Sequence, residues 1–182
     1  LAFDFTGLAP AGGRIRLVGN LPYNVSTPLL FHLLSQRAAI ADMHFMLQRE
    51  VVERMAAAPG DPDYGRLSVM IAWRCRVERL FRIGAGAFQP PPRVESAFLR
   101  LVPHAEPPFR VDDPVLFGRL VNEAFSRRRK TLRNALAHRL SAEAIAGVGI
   151  DPALRPERIS PADFARLASA AAEAGRAGRT RS

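Results

Sequence analysis

The stretch Gly19-Asn20-Leu21-Pro22-Tyr23 constrains this chain more than any other. The apolar run ahead of it, Ile15-Arg16-Leu17-Val18, reads as a short buried strand. Pro22 fixes its own φ and pushes Leu21 out of helical geometry, so the strand must end in a rigid turn. Ser26 or Thr27 then caps a helix, with Pro28 at or next to its first position, where a missing N–H costs nothing. An Asn, a Pro and an aromatic ring therefore sit at the carboxyl end of a strand that feeds a helix. In open α/β sheets that rim is where ligands bind. The side-chain oxygen of Asn20 and the carbonyl of Leu21 are two acceptors that can converge on one exocyclic NH2 group. Tyr23 adds a flat face on which a base can stack. Methyl transfer to an adenine amine suits this arrangement. The same tetrapeptide could equally be no more than a strand-to-helix connector.

The flanks decide between those readings. Gly19-Asn20-Leu21-Pro22-Tyr23-Asn24-Val25-Ser26-Thr27-Pro28, Phe45-Met46-Leu47-Gln48-Arg49-Glu50-Val51, Tyr64-Gly65-Arg66-Leu67-Ser68-Val69 and Ala87-Phe88-Gln89-Pro90-Pro91-Pro92-Arg93-Val94-Glu95-Ser96-Ala97 follow one another in order. Together they resemble the ribosomal RNA adenine dimethyltransferase family, and most of all its bacterial small-subunit (16S) branch. The resemblance runs to about Ala174. It implies a Rossmann-like sheet of S-adenosylmethionine-dependent methyltransferases and a small all-α carboxyl-terminal domain. It also implies a catalytic set of Asn20, Leu21, Pro22, Tyr23 and Phe88, with Asn20 touching the cofactor as well. Phe88, stiffened by its three prolines, would face Tyr23 across the flipped base; its other reading is a hydrophobic plug.

The resemblance also sets expectations for what precedes Leu1. The family's glycine-rich cofactor loop and the acidic residue for the cofactor adenine would both lie upstream. The chain is thus expected to be the carboxyl-terminal part of a longer enzyme, inactive by itself and a poor binder of S-adenosylmethionine. Gly84-Ala85-Gly86 is a weak imitation of such a loop and is rejected, since it opens no convincing helix.

Composition narrows the partner. The 182 residues carry a net charge of +9, which favours an anionic partner. All basic residues but Lys130 are arginines, which suit bidentate phosphate contact. The single cysteine, Cys75, excludes a disulfide framework and a cysteine-based metal site, and its apolar neighbours make it a buried thiol. No apolar run is long enough to span a membrane and no secretory signal is present, so a reduced cytoplasmic location is expected.

Along the chain, helices are expected over Leu29–Gln36 and Glu50–Met55, and strands over Asp42–Leu47, Leu80–Ile83 and Val94–Val102. Arg66–Cys75 is ambiguous by periodicity, and the resemblance favours helix. His32 reads as an ordinary helix residue and His44 as a satisfied sheet histidine. Pro103–Pro114 reads as a linker between a catalytic portion, 1–103, and a helical RNA-contacting portion, 104–182. Asp113-Pro114 opens a helix with an apolar stripe of Leu116, Leu120, Val121, Ala124 and Phe125. That helix, or one following it, carries Arg127, Arg128, Arg129, Lys130 and Arg133, either as phosphate contacts to an RNA helix or as a solvated face. Ser141, Asp151-Pro152 and Ser160-Pro161 read as further helix starts, the first ended by Gly147 and Gly149. Phe164, Leu167 and Ala168 would pack the last helix, and Gly175–Ser182 is expected to be a disordered basic tail. The two portions carry net charges of +4 and +5, so both could touch one anion.

The expected function is S-adenosylmethionine-dependent dimethylation of two adjacent adenines near the 3′ end of 16S rRNA, on the small (30S) subunit, by a monomer that needs no metal. The alternatives are a non-catalytic rRNA-binding assembly factor, the relative that modifies large-subunit rRNA, and a DNA adenine methyltransferase.

Overall fold

A computed structural model describes residues 3–22, 26–127 and 129–179, the side chains of 177–179 excepted. The described residues form a mixed α/β structure in two compact units, Leu1–Ala56 with Arg74–Glu106, and Ala57–Trp73 with Pro107–Ser182.

The first unit is built on four strands: β1 (Ile15–Asn20), β2 (Ile40–Gln48), β3 (Cys75–Ile83) and β4 (Ser96–Pro103). Their order is β1-β2-β4-β3. β1 and β2 run parallel, joined through α1 (Ser26–Ser35), and β4 runs antiparallel to both its neighbours. Period-2 alternation selects the buried face. Met43, Phe45 and Leu47 of β2 sit opposite Leu101, Leu99 and Ala97 of β4, and all six are buried. Leu30, Leu33 and Leu34 of α1, with Val52 and Met55 of α2 (Arg49–Ala56), complete this core.

Two strands differ from expectation. β1 is not buried: its residues alternate between partly and fully exposed, and Val18 is 68% exposed. Among the described residues it pairs with β2 alone, so one of its edges has no described neighbour. β3 begins at Cys75, five residues before the expected start, directly after α3 (Arg66–Arg74). Its outer part is exposed and rich in charge, which hides a strand from any apolar count but is what an edge strand carries.

The second unit is helical. α4 (Pro114–Ser126) starts where expected, the Asp113 carboxylate accepting from the N–H groups of Val115 and Leu116, both at 2.9 Å. Its buried residues are Phe117, Leu120, Val121 and Ala124, so Phe117 replaces Leu116 in the expected stripe. α5 (Leu132–Ala135), α6 (Ala142–Gly147) and α7 (Pro161–Arg179) follow. Ser141 caps α6, and the Ser160 hydroxyl accepts from the Asp163 N–H at the start of α7. Gly149, just past α6, has φ of +73°, a conformation that favours glycine. Asp151-Pro152 opens no helix; the Asp151 carboxylate instead accepts from Ala153 N–H in a turn. Phe164, Leu167 and Ala168 are buried as expected. The expected tail is helical as far as Arg179, and its last residues, 180–182, lie outside the described part.

The division is not the linear one expected at residue 103. Ala57–Trp73, which includes nearly all of α3, groups with the carboxyl-terminal helices. The contacts explain why. Tyr64, wholly buried, donates its hydroxyl to the Ile159 carbonyl at 2.7 Å, and Gly60 N–H donates to the Glu157 carbonyl at 2.8 Å. The rings of Trp73 and Phe117 meet edge to face at 5.6 Å.

Candidate functional site

β1 ends at Asn20, opposite Met46 of β2. The chain follows β2 for one residue more: Leu21 N–H donates to the Met46 carbonyl at 3.2 Å. Pro22 has no N–H and ends the ladder. Leu21 is buried by this last bond and by its apolar side chain, while Asn20 and Pro22 on either side are exposed. The turn thus grips the sheet through Leu21 and presents its two flanking residues.

β3 runs parallel to β2, with β4 between them, so its carboxyl end reaches the same rim as those of β1 and β2. The segment from β3 to β4 therefore starts and finishes beside the Asn20 turn's neighbours. Ile83 pairs with Ser96, and Ser96 with Gln48. Arg49 closes the base of this segment, its N–H donating to the Glu95 carbonyl at 2.9 Å and its guanidinium meeting the Glu95 carboxylate at 2.8 Å. Ala85–Ala87 folds into a single 3-10 turn, Phe88 follows, and the Gln89-Pro90 peptide is cis.

Asn20, Leu21, Pro22, Phe88, Gln89, Pro90 and Pro92 line one cleft of about 390 Å³. That size lies within the range of small-ligand pockets. The structure thus brings together four of the five residues expected at the site. The fifth, Tyr23, lies outside the described residues. Pro90 and Pro92 were legible only as stiffening around Phe88, and Gln89 only as part of its motif; their adjacency to that residue is the signal that they would share its cleft.

Asp42 fixes the strands behind the rim. Its carboxylate takes two hydrogen bonds from Arg16 of β1, at 2.6 and 2.9 Å, and two from Arg100 of β4, at 3.1 and 2.7 Å. These bonds lower its pKa to about 2, the Arg16 bond most of all, against the opposing effect of burial. Sequence reading missed this cluster, because a lone Asp in an apolar run carries no mark of its partners. His44 Nδ1 stands 3.6 Å from the same carboxylate, too far for a hydrogen bond, and is buried with no hydrogen-bond partner among the described residues. The expectation of a satisfied histidine is corrected accordingly.

Of the basic cluster, Arg127, Arg129 and Lys130 are not helical. α4 ends at Ser126, Arg127 is its C-cap, and α5 begins only at Leu132. Arg127, Arg129 and Lys130 lie in the turn between them and share a pocket with Phe125 and Ser126. Cations suit this place, beside the outward carbonyls at a helix carboxyl end. Arg133 is exposed on α5, and Arg128 lies outside the described residues.

Residues 3–173 match the family model of ribosomal RNA adenine dimethylases. The chain belongs to that family. It is 58% identical over 173 residues to ribosomal RNA small subunit methyltransferase A of Pseudomonas aeruginosa, covering 95% of this chain and 65% of that protein. It is 57% identical over 177 residues to the protein of that name from Chromohalobacter salexigens, covering 95% and 63%. The chain therefore spans a little under two thirds of the length of these two relatives. Two solved structures share the fold. A dimethyladenosine transferase from Plasmodium falciparum superposes with a TM-score of 0.75 at 24% identity, over 88% of this chain and 67% of that one. The 23S rRNA methyltransferase ErmE does so with 0.64 at 22%, over 93% and 70%. The Rossmann-like methyltransferase fold expected for the dimethylase family is the fold found.

Proposed function

We propose that the protein to which this chain belongs dimethylates the exocyclic amines of two adjacent adenines near the 3′ end of 16S rRNA, acting as a monomer on the small ribosomal subunit in the cytoplasm. The observation that carries this is the single cleft lined by Asn20, Leu21, Pro22 and Phe88 at the carboxyl rim of the parallel strands. The names of the relatives favour the small subunit over the large one.

The target base leaves its stack, at a cost of a few kcal/mol. The Asn20 side-chain oxygen and the Leu21 carbonyl accept its two amine hydrogens and so aim the nitrogen lone pair. Tyr23 and Phe88 hold the faces of the ring. S-adenosylmethionine supplies an electrophilic methyl group. Asn20, exposed at the rim, suits contact with both partners, as a site with one side-chain acceptor and two donors. As the nitrogen forms its new bond it becomes strongly acidic and releases a proton to water, so alignment carries most of the catalysis. Arg127, Arg128, Arg129, Lys130 and Arg133 supply phosphate contacts that position the RNA without reading its bases.

The test is a labelled-methyl assay of the full-length protein on immature small subunits, free rRNA and DNA. Label in N6-dimethyladenine of small-subunit RNA is the expected result. Label in DNA or in large-subunit RNA, or none at all, would overturn the proposal.

A further inference from the structure

From Phe117 onward, the large apolar residues of α4 and Ala124 divide into two kinds. Phe117, Leu120, Val121 and Ala124 are wholly buried, whereas Phe125 is only partly so. The Phe125 ring has two aromatic neighbours: Tyr64 meets it edge to face at 5.9 Å, and Phe164 lies tilted at 5.6 Å. Phe125 also lines a pocket of about 570 Å³ with Ser126, Arg127, Arg129 and Lys130. Among the described residues that line this pocket, none is acidic. A merely solvated basic face has no need of an aromatic ring held among its cations by two others. Nor does a helix-end charge effect, which accounts for the cations, account for the ring.

A partly exposed aromatic side chain that lines one pocket with three cations suits a ligand that joins a planar ring to negative charge. A nucleotide in a single-stranded or bulged stretch of RNA has both, whereas a regular RNA helix keeps its bases stacked and out of reach. We propose that this pocket binds one unstacked nucleotide of the RNA, its base lying on Phe125 and its flanking phosphates against Arg127, Arg129 and Lys130. This rests on the reading of the basic turn as an RNA contact and adds a base-binding site distinct from the cleft at Asn20. Stacking on an aromatic ring accepts any base, so the pocket selects unpaired structure rather than sequence.

The experiment uses the full-length protein and a small-subunit rRNA substituted with 5-iodouridine, irradiated and mapped by mass spectrometry. A photoadduct on Phe125 is expected. In parallel, Phe125→Leu should weaken RNA binding by about five- to 150-fold with its salt dependence unchanged. The double variant Arg129→Glu, Lys130→Glu should instead flatten the salt dependence. A flattened slope with no adduct on Phe125 would overturn the base-binding site and leave the phosphate contacts standing. An unchanged slope in the double variant would overturn the RNA reading of the turn itself. Because Phe125 also packs on Tyr64 and Phe164, the adduct on the unaltered protein decides the matter if Phe125→Leu fails to fold.

Discussion

Asp42 is buried on β2 between two guanidinium groups, and its titration ties stability to pH. The folded carboxyl is held at about 2, below the ordinary value near 4 that an unfolded chain would show. The contribution is therefore complete above roughly pH 4 and is lost as pH falls through about 2. Allowing for the exposure of Arg16, it is of order 1–2 kcal/mol. Urea titrations of the protein and of Asp42→Asn should show a gap in unfolding free energy at pH 6 that narrows towards pH 2. A gap that stays constant would remove the linkage. Cys75 gives a second check. Burial pushes its thiol up to about 12, so thiol reagents should leave it unmodified at pH 8 until denaturant is added. Rapid labelling of the native protein would contradict that. The burial of Cys75 was legible from its apolar neighbours. The partners of Asp42 were not, because Arg16 and Arg100 lie 26 and 58 residues away along the chain.

Elements show where periodicity succeeds and where it fails. β2 and β4 bury one clean face, and their alternation announced them. β3 spends most of its length exposed, with Arg and Glu along it, so only its apolar end was visible. The basic cluster was expected on the Asp113-Pro114 helix or one following it; Arg133 does lie on α5, but the chain leaves helical geometry at Arg127. At this scale the Asp113 cap is a direct test. Asp113→Ala should destabilise α4 by about 1 kcal/mol, and Asp113→Ser should recover most of it, both read by chemical denaturation. Equal stability of all three proteins would show that the cap contributes nothing.

For the chain as a whole, the grouping of Ala57–Trp73 with the carboxyl-terminal helices was invisible in the sequence. Proline content marked only the linker near Pro103–Pro114, and composition does not say which unit a short helix will join. Tyr64 shows how the choice is made. Tyr64→Phe keeps the ring but leaves the Ile159 carbonyl without the donated hydroxyl, and should cost about 1–3 kcal/mol in unfolding free energy. A loss too small to measure would mean that another donor replaces it. The candidate cleft was more legible than the unit division. Asn20, Leu21, Pro22 and Phe88 were named from motifs far apart in the chain, and they reach one rim because β1, β2 and β3 of the mixed sheet point the same way. The measurement that bears most directly on the account is the effect of Asn20→Ala in the full-length protein on methyl transfer and on RNA affinity, determined side by side. If Asn20 holds the adenine amine, turnover should fall at least a hundredfold while affinity for small-subunit rRNA changes by less than about threefold. Equal losses in both, or turnover close to that of the unaltered protein, would contradict it.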